Sequence, residues 1–372
     1  MVSSHFLTGV KCATMEAIPT INPKQEETEM NVTTMGLDLA KNVFHVVGLD
    51  SAGREVAQKR LTRAQVLKYF ANTPRATVAM EACAGAHYFA RELQKLGHEP
   101  KLIPPQYVKA YVRGQKNDYN DARAIAEAAR VPQMRWVAVK TVDQQDLQAL
   151  TRMREGVLRS RTALINRLRG LLAEYGIVRG PGVNTMRRAL PELLADADNG
   201  LSDRFRRLLR QGQAELIALD AHLETLTAEL KAAARADDSA RRLQTIPGFG
   251  PIVAAVFLGT LGDGSPYRRG RDAAAAVGLV PRQHSSGGKP TLLGISKCGD
   301  RYLRSLLVHG ARAVVRAARH KDDRLSRWVN RLRETRGANK ATVALANKLT
   351  RIGWAVLAHR TVYQPTPLPH GI

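Results

Sequence analysis

Four carboxylates stand out in a chain of the opposite charge. Asp38 lies in the apolar run GLDLAK, Glu81 ends the apolar run ATVAMEA, and Asp118 and Asp121 open DYNDARAIAEAAR. A carboxylate within an apolar strand is costly unless it is paired or bound to a metal. The spacing of Asp118 and Asp121 puts both on one helical face, at the positive end of the helix. Two strands and a helix start would thus supply hard oxygen donors for divalent ions, Mg²⁺ or alternatively Mn²⁺. Two such ions about 3.5–4 Å apart stabilise the attacking and leaving oxygens of phosphoryl transfer. For the helix alone, a plain N-cap at Asp118 with Asp121 in the first turn is the simpler account. The joint arrangement of all four favours metal.

A second stretch able to do chemistry is GLVPRQHSSGGKPTLLGISKCGDRYLRSLL. Ser285 and Ser286 precede two glycines and are flanked by Arg282, His284 and Lys289. Glycines make a serine accessible, and nearby cations stabilise a phosphate under attack. Taken alone, Ser-Ser-Gly-Gly reads as a flexible surface loop. His284 lacks an identifiable third group to orient it as a base. Lys297 and Arg301 flank a loop-to-helix turn suited to phosphate, and Arg304 follows on the basic helix. Tyr302 invites comparison with tyrosine recombinases, but no accompanying Arg/His constellation supports that. Upstream, IPGFGP reads as the hairpin of a helix-hairpin-helix, in which Gly248 and Gly250 let the backbone approach a phosphate. Such a grip reads no sequence.

These residues need elements to position them. TMGLDLAK, NVFHVVGLD and REVAQKRL read as strands, followed by a helix over about 63–72, the strand ATVAMEA, a helix over about 86–96 and the strand EPKLIPP. QYVKAYVRG and DYNDARAIAEAAR read as helices, which makes residues 34–140 an α/β layer. Residues 141–238 are helical, with Leu147, Leu150, Val157, Leu164, Ile165, Leu168, Leu171 and Leu172 on one stripe. A second stripe carries Leu209, Leu216, Leu223 and Leu230, with Leu219 and Leu226 at the companion heptad positions. An antiparallel hairpin folded on itself and a coiled coil joining two protomers account for these stripes equally well. Residues 239–360 form a mostly helical third region, between an expected disordered leader (1–33, with Met30 or Met35 as natural starts) and a flexible Pro-rich tail (361–372).

The chain has 372 residues and a formal net charge of +24, and residues 265–360 hold 21 Lys/Arg against 5 Asp/Glu. Charge of that size self-repels, and it persists where a polyanion is the partner. No apolar run reaches the roughly 20 residues that span a bilayer, and the basic helices lack the aromatic faces of membrane-surface helices. Nucleic acid is the expected partner, and a membrane is not. Cys12, Cys83 and Cys298 are odd in number and far apart, as suits a reducing cytoplasm.

The order Asp, Glu, Asp-x-x-Asp on this layout resembles the RuvC-like branch of the ribonuclease H fold. More specifically, GLDLAKNVFHV, EACAGAHYFARELQKLGHEPKLIPP and KNDYNDARAIAEA resemble the N-terminal blocks of the DEDD transposases of bacterial insertion sequences that are guided by a bridge RNA. GLVPR, SG, ISK, G and LR follow in the order of that family's C-terminal blocks. The likeness runs over about residues 34–355. It departs at the long leader and at Cys298, where a basic residue would be more usual. The resemblance implies that Asp38, Glu81, Asp118 and Asp121 are metal ligands, and that Ser286 is the nucleophile. That serine would form a covalent phosphoserine with DNA in a composite site beside the acidic cluster, with Ser285 as its rival. It further implies donor and target double-stranded DNA, a guide RNA, and a dimer or tetramer working at the nucleoid.

The function expected is therefore a DNA transposase or site-specific recombinase. The alternatives are a metal-dependent junction resolvase with water as nucleophile, and an architectural nucleic-acid-binding protein whose acids are only caps.

Overall fold

A computed structural model describes residues 32–115 and 117–365. The expected leader up to residue 31, including Cys12 and Met30, and residues 366–372 of the tail lie outside them. The described residues divide into two compact units, which part between Val139 and Lys140.

The first unit is a five-stranded mixed sheet ordered β3-β2-β1-β4-β5. Its strands are β1 (Thr34–Asp38), β2 (Val43–Leu49), β3 (Glu55–Thr62), β4 (Thr77–Glu81) and β5 (Glu99–Ile103). The first three form antiparallel pairs, while β4 pairs parallel to β1 and to β5. Parallel pairing needs crossovers, and α1 (Arg63–Ala71) and α2 (Ala86–Lys95) provide them. Alternation along the strands separates two faces. Met35, Leu37, Phe44, Val46, Val78 and Met80 pack with Val66, Phe70 and Phe89 of the crossover helices. Each large side chain buried there contributes about 1.5–3 kcal/mol.

The opposite face receives α3 (Asp118–Ala129). Val47 and Leu49 pack on its Ala122 and Ala126, and Ala79 and Ile103 pack on Ala124, Ile125 and Ala128. These alanines make the helix slim, and Gly36 of β1 lets it come closer still. A Cβ at Gly36 would stand 2.0 Å from the Ala122 carbonyl oxygen and 2.7 Å from the Ala126 nitrogen. QYVKAYVRG is not the helix expected. It forms one helical turn, Pro105–Val108, and a 3-10 turn, Lys109–Tyr111, before the backbone extends at Val112.

In the second unit, α4 (Val142–Ala173) and α6 (Asp203–Ala236) are the long helices foreseen. Between them lies an unforeseen helix, α5 (Val183–Ala195), whose internal Pro191 masks its pattern. The leucine stripe of α6 is buried within the chain. Leu209 and Leu216 pack with Leu164 and Leu168 of α4, and Leu223 and Leu226 pack with Val157. On α4 itself, Leu171 is exposed rather than on the buried stripe. Gly212 brings the two helices close, since a Cβ there would meet Leu168 Cδ2 at 2.8 Å. The heptad leucines therefore serve the intrachain hairpin.

The rest of this unit is helical apart from one hairpin. It comprises α7 (Asp238–Leu243), α8 (Pro251–Leu261), α9 (Gly270–Ala276), the hairpin β6 (Pro281–Gln283) and β7 (Leu292–Ile295), then α10 (Arg301–Ala317), α11 (Arg324–Arg336) and α12 (Ala338–Ala358). Leu243, Phe249, Phe257, Leu303, Leu307 and Leu349 centre its core. No helix among the described residues is long and apolar enough to cross a membrane.

The Gly36 contact predicts opposite outcomes for two glycine substitutions. Gly36→Ala should lower unfolding free energy by about 3 kcal/mol or more, since rigid backbone cannot yield to the new methyl. Gly156→Ala, on the exposed face of α4 where a Cβ meets nothing within 4 Å, should raise it by about 0.5–1 kcal/mol. Urea unfolding measures both, and a neutral Gly36→Ala would show that α3 does not lie against β1 in this way.

Candidate active site

The carboxylates of the first unit come together by register. Leu37 of β1 pairs with Met80 of β4, so Asp38 and Glu81 stand at the next matched position of two parallel neighbours. Across the antiparallel pair, Asp38 faces His45. All three lie on the face that Gly36 opens to α3, and Asp38 and Glu81 end their strands beside the start of that helix. His45 Nδ1 is 3.6 Å from an Asp118 carboxylate oxygen. The His45 ring also meets Tyr119 edge-on, with centroids 4.7 Å apart.

Neither aspartate caps α3. Asn117 is the N-cap, its side chain accepting from the Tyr119 N–H at 2.9 Å. Asp118 and Asp121 therefore occupy the first turn with their carboxylates free of capping duty, contrary to the simpler expectation. The group the sequence did not single out is His45, whose one visible signal is a polar residue in an apolar strand.

The electrostatics follow from this crowding. Asp38 is pushed up to about 6, first by burial and then by the charges of Asp121, Asp118 and Glu81, with His45 alone pulling the other way. Glu81 is raised by burial and then by Asp121. The four anions thus share one negative field. Among the described residues, no group of three or more His, Cys, Asp or Glu is gathered tightly enough to hold a metal as it stands. Mutual repulsion between like charges opposes closer approach. The donor set, oxygen throughout and jointly anionic, suits a hard divalent cation.

In the second unit, the serine stretch lies in the connection of the β6–β7 hairpin. Ser286 and Lys289 form a bridge around Gly287 and Gly288, whose φ values of 55° and 75° suit a type I′ turn. The two serines differ. Ser285 Oγ accepts from Gln283 Nε2 at 2.8 Å and from the Thr291 N–H at 3.3 Å. The Ser286 hydroxyl has no hydrogen-bond partner among the described residues, and the residue is exposed. Arg282, His284 and Lys289 are exposed on the same hairpin.

The remaining residues of interest divide by what already holds them. Lys297 is exposed, with φ of 57°, a conformation uncommon for a side-chain-bearing residue. Its turn is locked backbone to backbone: a Cβ at Gly278 would stand 2.2 Å from the Cys298 carbonyl oxygen, and one at Gly299 1.8 Å from that of Ala276. Arg301 opens α10, exposed, after the Asp300 cap. Arg304 Nη1 donates to the Val277 and Cys298 carbonyls at 2.9 Å each, which anchors the expected phosphate-binding guanidinium to this turn. Gly248 lies against a helix. Its missing side chain admits the backbone of α10, with Gly310 oxygen 2.9 Å from the would-be Cβ, whereas Gly250 faces open space. Tyr302 is a core residue whose hydroxyl accepts from Arg154 Nη1 at 2.5 Å. Cys83 and Cys298 are both free thiols.

Comparison with known proteins gives the family of the chain. A family model described as Transposase IS116/IS110/IS902 family matches residues 240–326, and a DEDD transposase model of the IS110 type matches residues 35–177. The chain is 48% identical over 337 residues to a probable family 20 transposase of Pseudomonas aeruginosa, covering 90% of this chain and all of that one. It belongs to the IS116/IS110/IS902 family of transposases. It is also 44% identical to the transposase for insertion sequence element IS1111A of Coxiella burnetii, covering 92% of this chain and 94% of that one. The transposase for element IS1328 of Yersinia enterocolitica is 42% identical, with 90% and 99% covered. The chain is thus an insertion-sequence transposase, an enzyme that cleaves and rejoins DNA, and the acidic cluster lies in its DEDD domain. The five-stranded mixed sheet is consistent with a ribonuclease H-like fold.

The raised Asp38 carries a signed pH dependence. The folded state holds a proton on Asp38 that the unfolded chain releases near 3.8, so metal-free stability should fall as pH rises from 3.8 to about 6. Asp38→Asn should remove that loss. Unfolding in EDTA should find the variant more stable than the parent by on the order of 2 kcal/mol at pH 7.5 and little different at pH 4. Equal stability at pH 7.5 would mean that Asp38 feels no such field.

Proposed function

We propose that this transposase cuts and rejoins DNA through a covalent phosphoserine at Ser286, with Asp38, Glu81, Asp118 and Asp121 as the ligands of a divalent ion, Mg²⁺ or Mn²⁺, and a bridge RNA selecting the DNA. The observation that carries the serine assignment is the contrast within the hairpin. Ser285 spends its hydroxyl on the Gln283 side chain and the Thr291 N–H within the hairpin, whereas Ser286 offers a free one beside Lys289.

In the cleavage step Ser286 Oγ loses its proton and bonds to phosphorus. The phosphorus–oxygen bond to the departing strand breaks, and that strand leaves with its hydroxyl protonated. Rejoining is the reverse attack by a strand hydroxyl, which returns Ser286 to its free form. A serine hydroxyl is a weak nucleophile at neutral pH. A bound divalent ion would supply charge neutralisation to the reacting phosphate. The exposed Arg282, Lys289, Lys297 and Arg301, with Gly250 at the start of α8, hold the DNA backbone. Gly248 and Arg304 shape the parts that present them. We read the first unit as the RuvC-like branch of its fold, and α7, IPGFGP and α8 as a helix-hairpin-helix. Arginine-rich, aromatic-poor surfaces suit recognition of backbone and shape, with sequence left to RNA–DNA pairing. A dimer or tetramer brings two donor and target ends into one complex.

Labelled insertion-sequence ends incubated with protein and co-purified RNA, then resolved under denaturing conditions, test the chemistry. A protein–DNA adduct should form with the parent and with Ser285→Ala. It should be lost, by roughly 10³-fold or more, in Ser286→Ala, in Asp38→Asn and in EDTA. Cleavage without any adduct would instead assign the nucleophile to water.

A further inference from the structure

One groove of the second unit takes no part in the chemistry proposed for Ser286 and the acidic cluster. It is a groove of about 1360 Å³ between the β6–β7 hairpin, α9 and α12. Its wall on the hairpin side includes Leu292 and Leu293, which are 64% and 45% exposed although apolar. Trp328 and Trp354 line it from the helical side. Five cations also line it, Arg269, Arg271, Lys340, Lys348 and Arg351, and no Asp or Glu is among the described lining residues. Of these five, only Arg269 has an ion-pair contact among the described residues, to Asp272 at 3.8 Å.

We infer that this groove holds a short unpaired DNA strand, its bases against the apolar wall and its phosphates along the cationic rim. A rigid duplex hides its bases and would meet the rim alone, leaving Leu292 and Leu293 wet. An unpaired strand presents both surfaces at once, which is how single strands are gripped without regard to sequence. A second copy of the chain is disfavoured by charge, since it would bring a molecule of net charge +24 to a wall of cations. The crowding is visible at Lys348. Its ammonium sits 4.5 Å from the Trp328 ring centre, and its pKa is lowered by burial and then by Arg324 and Arg351. A phosphate would relieve that repulsion.

The choice of DNA over RNA rests on the proposed role of Ser286. The hairpin that walls the groove carries Ser286 beside its turn, six residues before Leu292 in sequence and, across the Ser286–Lys289 bridge, one strand spacing plus three residues from it. At about 5 Å for the spacing and about 3.3 Å per residue, this is roughly 15 Å, or about four stacked nucleotides. A strand freed at the serine would therefore enter the groove directly.

Fluorescence anisotropy with the full chain at fixed salt tests this, using an oligothymidylate of about 20 nucleotides, the corresponding oligouridylate and a duplex of equal length. Leu292→Ser/Leu293→Ser should weaken oligothymidylate binding roughly tenfold and duplex binding less than about threefold. Lys340→Glu/Arg351→Glu should weaken oligothymidylate at least as much. All four residues are exposed, so folding is not at stake. Unchanged oligothymidylate binding in both variants would overturn the proposal, as would an equal loss for duplex in the leucine variant. A loss confined to oligouridylate would reassign the groove to RNA. Ser286→Ala should bind oligothymidylate like the parent, so a failed adduct assay and a failed groove assay remain distinguishable.

Discussion

The architecture of the first unit turns on one contact, the backbone of α3 lying directly on Gly36 of β1. Without a Cβ at that point, and with alanines on the facing side of the helix, α3 settles close to the sheet. That brings Asp118 and Asp121 to the strand ends bearing Asp38 and Glu81. Four like charges do not gather unaided, and the burial of strand and helix side chains holds them together against their repulsion. Asp38 and Glu81 are both raised, first by their own burial and then by neighbouring carboxylates.

The second unit uses the same device in other places. Gly248 against Gly310, Gly278 against Cys298 and Gly299 against Ala276 are all backbone-on-backbone contacts that any side chain would prevent. They fix the turns that present Lys297 and Arg301 at the surface, while a type I′ turn holds Ser286 outward. Loops that bear function on rigid supports are the general expectation for such sites. Here the supports are glycine contacts together with hydrogen bonds such as Lys297 N–H to the Gly278 carbonyl and Arg304 to the Val277 and Cys298 carbonyls.

Charge is distributed along a different logic. Acidic residues paired to arginine recur in the helical part, as with Asp220 between Arg161 and Arg187. Around the hairpin and α12, among the described residues, Arg269 alone of the groove's five cations has such a partner, Asp272. Unpaired cations beside exposed leucines describe a surface shaped for something both anionic and apolar, and nucleic acid with accessible bases is that.

Much of this was legible in the residues. Alternating apolar strands, the order of the four carboxylates and the basic C-terminal block follow from local pattern and composition, which do not depend on distant contacts. Other features were not. The cap at Asn117, the burial of the leucine heptad within one chain, the helix around Pro191 and the separate fates of Ser285 and Ser286 depend on which groups meet across space. Residue types can nominate Asp38, Glu81, Asp118 and Asp121. Only the folded chain decides that they share a field, because register between parallel strands and the approach of a helix over Gly36 are properties of segments far apart in sequence.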